Sequence, residues 1–300
     1  MIEEKRKIIF IINPVAGKGK TIEILPKLKE LLEYYKSEVN AEIKISSRIG
    51  EISNITSEYY ALGYREFVAV GGDGSLSELI NGLKFPTDEP VKIGIIPLGT
   101  GNDFIKNISE DVEVDKVLNS IFRNQTKIID IGKVNNHYFI NVCSFGIDGP
   151  IIQDTEKFKK LMPGKSAYLF STLKAGMTFK PSKVKVSTSN ESYEGFMILI
   201  AIGNGKYFGG GMKICPDACL SDGLFDVCLV KDVRKGKFMR NISKVYSGRL
   251  GEIKEVKYIR SDEILIQVID EEYWVNVDGN LVGKTPVSIK IIKNAISVFV

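Results

Sequence analysis

Three short segments of the chain combine glycine with carboxylate, amide, hydroxyl or ammonium side chains, a combination that suits phosphate chemistry. They are NPVAGKGKT (Asn13–Thr21), GGDGSLSE (Gly71–Glu78) and PLGTGNDF (Pro97–Phe104), and each follows a strand-like apolar run. Glycines leave backbone N–H groups accessible to a ligand, and a helix that starts after such a turn directs its positive end at an anion. The carboxylates of Asp73 and Asp103 are candidate groups for contact with magnesium or ribose. We expect the three turns to form one phosphate-binding crevice.

The first turn alone does not define a known nucleotide motif. Pro14 stands where the first glycine of a P-loop belongs, although a Gly-Lys-Thr sequence follows it. Gly17 and Gly19 begin a dinucleotide-type pattern, but Ile22 occupies the position of its third glycine. A plain turn between a strand and a helix explains this segment about as well as a phosphate loop does. The missing dinucleotide pattern disfavours a dehydrogenase.

The start of a helix explains some of the residues in the second turn. Ser75 and Glu78 have the spacing of a capping box, which predicts a helix that starts at this point. That box requires none of Gly71, Gly72 and Asp73. Close approach of the backbone to a ligand explains the two glycines, and a carboxylate beside phosphates suggests contact with magnesium or ribose. A simple tight turn is the competing interpretation.

The first half of the chain alternates strand-like and helix-like segments. Four apolar runs predict strands at KIIFIIN, AEIKIS, EFVAV and VKIGIIP. The spacing of apolar residues predicts a helix near Ile22–Tyr35, and EISNITSEYYALG predicts a second helix. Continuous apolar strands between helices are typical of a parallel sheet covered on both faces, where ligands bind beyond the carboxyl ends of the strands. The three glycine turns all come at such ends.

After about Asp130 the pattern changes to short strands separated by turn residues. Strands are predicted at KIIDIGKV, HYFINVCSF, KVKVSTS, FMILIAIG, LFDVCLV, EILIQVI, YWVNVD and VSIKII. Two helical segments interrupt them, around Thr155–Met177 and Gly236–Gly248. This pattern is typical of an antiparallel sandwich or a distorted barrel. We predict a nucleotide-binding α/β domain over residues 1–130 and a β-sandwich domain over residues 131–290, with the last strand, near residues 291–300, returning to the first domain.

Composition and charge narrow the class of protein without identifying it. The chain has 300 residues, a formal charge of +4 and four cysteines, Cys143, Cys215, Cys219 and Cys228. No two cysteines have CxxC spacing and His137 is the only histidine, so we expect no zinc site. No apolar run approaches the roughly 20 residues that span a bilayer, and no segment has the pattern of a signal peptide. We expect a cytoplasmic protein without disulfides that meets any lipid at the membrane surface.

Taken together, the three turns resemble the catalytic domain of the diacylglycerol kinase family, above all its soluble bacterial branch, which is related to sphingosine and ceramide kinases. GGGMKICPDACLSDGLFDV (Gly209–Val227) is similar to the GGG…P.A…DG.LD segment of that family. VNVDGN (Val275–Asn280) falls where the family has its catalytic DGE. The resemblance covers nearly the whole chain in the same order. It implies a Rossmann-like nucleotide domain followed by an antiparallel β-sandwich domain, with the active site in the cleft between them.

The resemblance also implies which residues hold ATP and its magnesium ion. The implied nucleotide-binding residues are Asn13, Pro14, Gly17, Lys18, Gly19, Lys20, Ser46, Gly71, Gly72, Asp73, Gly74, Ser75, Glu78, Gly99, Thr100, Gly101, Asn102 and Asp103. Ser46 matches the position of a nucleotide-contacting threonine, and Ser75 keeps the hydroxyl of the usual GGDGT. Bacterial members carry a structural magnesium ion, which here would use the Asp222 carboxylate and the backbone carbonyls of Cys219 and Leu224. On its own, the Asp222 turn is typical of a plain loop.

Asp278 and Asn280 are the implied catalytic positions. A carboxylate within reach of a lipid hydroxyl can take its proton as the bond to phosphorus forms, so Asp278 is the candidate general base. On its own, Asp278-Gly279 at the end of a strand is typical of a hairpin turn. Asn280 stands where the family usually has glutamate, and the loss of that acid would reduce or redirect activity.

The leading hypothesis is an ATP-dependent lipid kinase whose acceptor is diacylglycerol and whose product is phosphatidic acid. An NAD kinase would share the GGDG turn, but PLGTGNDF and the Gly209–Val227 segment disfavour it. A nucleotide- or lipid-binding protein with weakened catalysis is the alternative from a different class, because of Asn280.

The expected partners are the lipid substrate and an anionic membrane surface, with no nucleic acid. Glu156–Phe179 mixes lysines with apolar residues, so it is either a membrane-facing helix or a core helix with a basic outer face. The lipid headgroup and the oligomeric state, with a homodimer among the alternatives, stay open.

Overall fold

The computed structural model describes residues 5–109, 113–162 and 164–300. These residues form two compact units. Unit 1 consists of residues 5–131 and 292–300, and unit 2 consists of residues 132–291. No helix within the described residues is long and apolar enough to cross a bilayer.

Unit 1 is built on a parallel sheet. Its first four strands are β1 (Arg6–Ile12), β2 (Val39–Ile45), β3 (Glu66–Gly71) and β4 (Lys92–Pro97). Its helices are α1 (Lys20–Glu23), α2 (Leu25–Tyr34), α3 (Glu51–Ala61), α4 (Asp73–Asn81) and α5 (Val114–Phe122). The strands lie in the order β2-β1-β3-β4, all parallel, and Ile8 of β1 is opposite both Ala41 and Glu66.

Continuous apolar sequence explains why this sheet is buried on both faces. Every residue of Ile8–Ile12 and of Phe67–Val70 is fully buried. Side chains alternate between the two faces of a strand, so a strand can be buried throughout only when both faces are covered. The structure contains all four strands predicted here. The helix expected near Ile22–Tyr35 is instead two helices, because Pro26 lies in the first turn of α2 and has no N–H to extend α1.

Unit 2 is built on antiparallel strands. They are β5 (Thr126–Val134), β6 (His137–Phe139), β7 (Val142–Gly146), β8 (Ser182–Thr188), β9 (Ser192–Gly203), β10 (Tyr207–Phe208), β11 (Met212–Lys213), β12 (Phe225–Lys231), β13 (Val256–Ser261), β14 (Glu263–Val268), β15 (Trp274–Val277), β16 (Asn280–Lys284) and β17 (Val287–Phe299), of which β5 begins and β17 ends in unit 1. The main strand order is β16-β15-β7-β9-β8-β14-β17, and β12 pairs with β9 and β13. Inward-facing residues such as Phe145, Ile200 and Ile266 form its buried core.

Three helices accompany these strands: α6 (Asp148–Phe158), α7 (Gly164–Thr178) and α8 (Lys235–Tyr246). The single helix expected over Thr155–Met177 is therefore two helices. Pro163, which lies outside the described residues, falls in the gap between them, and a proline has no N–H for a helical hydrogen bond. Strands β10, β11, β13 and β16 were not predicted. An α/β unit and an antiparallel unit nevertheless agree with the predicted fold class.

Strand β17 belongs to both units. Its first residue, Val287, is opposite Ile266 of β14 in an antiparallel pair in unit 2. Near its end, Val298 is opposite Ile93 of β4 in a parallel pair in unit 1. The end of the strand therefore completes the sheet of unit 1 beside β4.

Candidate active site

The three glycine turns lie against one another at the carboxyl ends of β1, β3 and β4. A Cβ atom added to Gly72 would lie 3.0 Å from the Cα of Gly99, and one added to Gly99 would overlap Gly72. A Cβ atom on Gly17 would overlap the carbonyl oxygen of Leu98. Glycine allows the three backbones this close approach, and the strand ends of one parallel sheet bring the turns to the same edge.

Asp73 lies where the second turn meets the third. It is the first residue of α4, and its Oδ1 accepts a hydrogen bond from the backbone N–H of Phe104 at 2.9 Å. Burial raises the pKa of the Asp73 carboxyl above its ordinary value, and backbone hydrogen bonds from Phe104 and Asp103 oppose that rise. A carboxylate held at a fixed position beside backbone N–H groups is suited to hold a magnesium ion next to phosphates.

The side chains of the third turn largely stabilise the turn itself. Asn102 accepts the N–H of Gly99 at 3.1 Å through Oδ1 and donates to the carbonyl oxygen of Pro97 at 3.1 Å through Nδ2. Asp103 is buried and forms an ion pair with Lys106 at 3.0 Å. Sequence analysis missed Lys106, although its spacing of three residues from Asp103 is typical of a helical ion pair.

The predicted capping box at Ser75 and Glu78 is wrong. Helix α4 begins two residues before Ser75, with Gly72 as its N-cap and no side-chain cap. Ser75 is buried, and its Oγ accepts a hydrogen bond from Nδ2 of Asn13 at 3.2 Å. Glu78 accepts the N–H of Gly50 at 3.1 Å. Because both side chains bind partners distant in the sequence, they connect the first two turns and the start of α3 instead of capping α4.

Gly74 is not explained by packing. A Cβ atom at this position would meet no described atom within 4 Å, and the backbone there has no positive φ. Gly17, Gly71 and Gly99, in contrast, would each overlap a neighbour. Glycine inside a helix costs roughly 0.5–1 kcal/mol relative to alanine. Close approach of a ligand to the start of α4 would explain a glycine at this position.

Among the other predicted nucleotide-binding residues, three side chains with polar groups are exposed and one is buried. Lys18, Lys20 and Thr100 are exposed. Two ammonium groups and a hydroxyl are suited to phosphate oxygens. Ser46 is buried, and its Oγ donates to the carbonyl oxygen of Ile12 at 3.2 Å, so this hydroxyl proton is used within the protein.

Asp278 and Gly279 form the two-residue turn of the β15–β16 hairpin, both with positive φ. The Asp278 carboxylate accepts hydrogen bonds from the backbone N–H groups of Ile140, Asn141 and Val142, at 2.8, 3.1 and 2.9 Å. The predicted strand HYFINVCSF has these three N–H groups in its middle. Because they bind Asp278 instead of a neighbouring strand, the segment forms two strands, β6 and β7. A substrate proton would compete with three donors for the carboxylate lone pairs. The catalytic role of Asp278 stays a prediction.

A buried polar cluster adjoins this hairpin turn, and sequence analysis missed it. Asp148 is buried, and its Oδ2 accepts hydrogen bonds from Ser144 Oγ and, at 2.9 Å, from Asn276 Nδ2. Oδ1 of the same Asn276 accepts the N–H of Gly279 at 2.9 Å. Burial raises the pKa of Asp148, and hydrogen bonds from Ser144 and Asn276 oppose the rise. One signal was available: like Asp73, Asp148 lies two residues after the end of a buried strand.

An apolar cavity in unit 2 is bounded by Asp148. Its wall is mainly aliphatic, with Tyr168, Thr172, Lys237 and Asn241 as the other lining residues that carry polar groups. The volume of the cavity is about 100 Å³. Small-molecule sites in proteins are mostly apolar and range over roughly 300–1,000 Å³. The cavity therefore has the apolar lining of such a site, with room for a small part of an apolar ligand.

The carboxylate of the predicted magnesium site is engaged by protein groups. Asp222 accepts the N–H of Leu224 at 3.1 Å and pairs with the guanidinium of Arg260, which also lies 3.4 Å from Asp226. A magnesium ion held by Asp222 and the carbonyls of Cys219 and Leu224 would have to displace this guanidinium. In the part of the chain that the structure describes, no three His, Cys, Asp or Glu residues are grouped to hold a metal ion.

Comparison with known protein families identifies the class of this protein. Residues 7–134 match the diacylglycerol kinase catalytic domain, and residues 141–300 match the YegS C-terminal NAD kinase beta sandwich-like domain. The chain belongs to the diacylglycerol kinase-like family of lipid kinases. The family, the fold class and the kinase activity predicted from the sequence are thereby confirmed.

Individual relatives align with most of the chain. The diacylglycerol kinase of Bacillus subtilis (strain 168) is 28% identical over 284 residues, which are 92% of this chain and 90% of that protein. A protein of Yersinia enterocolitica named "Probable lipid kinase YegS-like" is 28% identical over 262 residues, 86% of each chain. A crystal structure of a diacylglycerol kinase from Bacillus anthracis str. Sterne has a TM-score of 0.74 and covers 98% of this chain and 96% of its own. At 23% identity it supports the fold alone.

Proposed function

We propose that this kinase transfers the γ-phosphate of ATP to a hydroxyl group of a membrane lipid, with diacylglycerol as the acceptor and phosphatidic acid as the product. The observation that carries the lipid assignment is the apolar cavity of unit 2 beside Asp148. A hydrocarbon chain suits such a wall, whereas NAD, which is polar and charged, would bury phosphates and riboses without partners there. The name of the Bacillus subtilis relative favours diacylglycerol among lipids.

Unit 1 supplies the groups that would hold ATP. Backbone N–H groups at the start of α4 donate to phosphate oxygens, and Gly74 leaves room for them to approach. The exposed Lys18 and Lys20 neutralise phosphate charge. Asp73 would hold the magnesium ion that accompanies ATP, and that ion would neutralise phosphate charge.

The transfer itself exchanges one bond to phosphorus for another. The lipid hydroxyl oxygen bonds to the γ-phosphorus, the bond from that phosphorus to the bridging oxygen of ADP breaks, and ADP leaves. The hydroxyl proton passes to a carboxylate and then to solvent. Asp278 is the predicted acceptor, but three N–H donors already bind it and Asn280 supplies no second acid. We therefore expect a slow kinase.

An ADP-production assay against a panel of acceptors tests this function. Diacylglycerol, sphingosine, ceramide, a polyprenol and NAD are presented separately, with the lipids in mixed micelles. We expect ADP release with diacylglycerol and detection of phosphatidic acid by mass spectrometry. Turnover with NAD alone would contradict the lipid assignment. ADP release with no acceptor in the panel would support the alternative of a nucleotide- or lipid-binding protein with weakened catalysis.

A further inference from the structure

We propose that the guanidinium group of Arg260 takes the place of the structural magnesium ion that the family resemblance implies near Asp222. The segment before β12 is then fixed to β13 by a cation of the protein itself, and unit 2 needs no metal ion for its stability. This inference is independent of the proposed function, because it concerns the stability of unit 2 and not phosphate transfer. It limits the expected need for magnesium to the ion that accompanies ATP.

The position of Arg260 is determined by strand pairing. Arg260 of β13 is opposite Asp226 of β12 in their antiparallel pair. Facing residues of such a pair have their side chains close together on the same face of the sheet. Nε of Arg260 accordingly lies 3.4 Å from Oδ2 of Asp226, and Asp226 is buried. A buried carboxylate needs a positive charge beside it, and the register of the two strands supplies that charge here.

The same guanidinium reaches the turn that would hold the ion. Nη2 of Arg260 donates to Oδ2 of Asp222, so one planar group joins Asp222 to Asp226. Oδ1 of Asp222 accepts the N–H of Leu224 at 3.1 Å. Both oxygens of the Asp222 carboxylate therefore have protein donors, and a magnesium ion there would lie beside a group of like charge. These residues do not fit a magnesium ion while Arg260 holds this position.

A second side chain of β13 holds the other end of the same segment. The hydroxyl group of Tyr258 donates to the carbonyl oxygen of Ile214 at 2.9 Å. Tyr258 and Arg260 are alternate residues of one strand, so their side chains lie on the same face of β13. That face therefore binds the segment at Ile214 and again at Asp222. Neither contact requires a metal ion.

Thermal unfolding without nucleotide tests whether the wild type uses magnesium at this site. A ligand that binds only the folded state raises the melting temperature. At constant ionic strength, magnesium should raise the melting temperature of the wild type no more than that of Asp222→Asn, which lacks the carboxylate of the implied site. A larger rise in the wild type than in Asp222→Asn would overturn the inference, because the wild type would then bind the ion through Asp222.

Replacement of Arg260 tests whether its guanidinium has the role of an ion. Arg260→Gln keeps hydrogen-bonding groups but removes the charge, so its melting temperature in EDTA should lie below that of the wild type. Magnesium should restore part of the loss, because Asp222 and Asp226 are then open to a cation. Arg260→Lys keeps the positive charge and should respond to magnesium less than Arg260→Gln does. Arg240→Gln, at an exposed arginine of α8, is the matched control and should behave as the wild type does.

Two results with Arg260→Gln would contradict the role of the guanidinium. If this variant has the melting temperature of the wild type in EDTA, Arg260 does not stabilise the segment. If it is destabilised but does not respond to magnesium, Arg260 is an ordinary ion-pair partner and does not replace an ion. Folding of Arg260→Gln only in the presence of magnesium would support the inference, whereas failure to fold in both conditions would contradict it.

Discussion

The Asp73 carboxylate accepts a hydrogen bond from the backbone N–H of Phe104 at 2.9 Å. This bond joins the start of α4 to the end of the third glycine turn, so the two turns hold each other in position. Asp73 therefore has two separable functions, one as a hydrogen-bond acceptor inside unit 1 and one as a proposed ligand for magnesium.

Two substitutions of Asp73 distinguish these functions. Asp73→Asn keeps an oxygen for the Phe104 N–H but removes the charge, so it should leave the melting temperature nearly unchanged. Magnesium-dependent ATP affinity should fall at least roughly tenfold, which corresponds to 1.4 kcal/mol. Asp73→Ala should lose affinity and also about 1 kcal/mol of the free energy of unfolding, because the hydrogen bond is gone. Calorimetry of binding and of thermal unfolding measures both, and unchanged ATP affinity in Asp73→Asn would contradict the assignment of this crevice.

Gly74→Ala provides a test of ligand approach at the start of α4. Since a Cβ atom there meets no described atom within 4 Å, the free energy of unfolding should stay the same or rise by up to about 1 kcal/mol. ATP affinity should nevertheless fall, because the added methyl group occupies the space of a phosphate. Gly99→Ala is the contrasting variant: its Cβ overlaps Gly72, so it should lower stability as well. If a stable Gly74→Ala variant keeps its full ATP affinity, the phosphates do not bind at the start of α4.

Asp278 and Asn280 are expected to respond in opposite ways. Asp278→Asn fits the positive φ of 46°, which asparagine tolerates, but it places an NH2 group against backbone donors. The free energy of unfolding should fall by about 1–3 kcal/mol. Asn280 is exposed, so Asn280→Glu should leave stability unchanged and, by adding an acid beside the hairpin turn, raise the turnover of diacylglycerol.

The measurements are chemical denaturation and kcat for both variants. A loss of kcat of roughly 10²–10⁴-fold in Asp278→Asn at unchanged stability would identify this residue as a general base without a structural role. A measurable turnover that neither variant alters would place the general base at another residue, and no measurable turnover in the wild type or either variant would indicate a binding protein.

Asp148 should make stability depend on pH. Its pKa is raised above 3.8, chiefly by burial, so the folded protein favours the protonated carboxyl. The contribution to stability is fully present below the unfolded-state pKa and is lost as pH rises through the higher folded-state pKa. Asp148→Asn does not titrate. The free energy of unfolding of the wild type, relative to that of Asp148→Asn, should therefore fall as pH rises from below 3.8 to neutral, and urea unfolding over that range measures it. A difference that is constant with pH would contradict this expectation.

The exposed apolar residues of α7 and of the segment that precedes it are expected to contact membranes. Leu161, Leu169 and Met177 are 80%, 57% and 63% exposed, and lysines flank them in the sequence. Vesicles that contain phosphatidylglycerol should sediment the protein, and capture should weaken as salt rises because the attraction is partly electrostatic. Leu161→Ser combined with Leu169→Ser should reduce capture several-fold. Ile49→Ser, at a residue 96% exposed in unit 1, is the control and should change nothing. Capture independent of lipid charge and salt would contradict a basic contact surface.

The features that were predicted best from the sequence are those that local patterns of residues determine. Continuous apolar runs such as Ile8–Ile12 specify buried parallel strands, and the turns that follow must then meet at one edge of the sheet. The glycines at positions 17, 72 and 99 could be singled out because each lies in a turn that combines several glycines with polar side chains after an apolar strand.

Contacts between distant segments were beyond such patterns. Asn276 and Asp148 are 128 positions apart and come together because β15 pairs with β7. The capping box failed for the same reason: Ser75 binds Asn13, which is 62 positions away. The type of a residue and its neighbours in the sequence do not indicate which distant residue it binds. The side chains that shape the unit 2 cluster could therefore be found only in the fold.

The two-unit course of β17 has a consequence for how the protein is made. Residues 292–300 complete the sheet of unit 1 beside β4, yet they follow all of unit 2 in the sequence. A ribosome therefore releases the whole of the second unit before the first can close its sheet. During that interval the backbone of β4 has an open edge, which is a template for wrong pairing with another chain. The three glycine turns are encoded early, but the sheet that supports them is completed last.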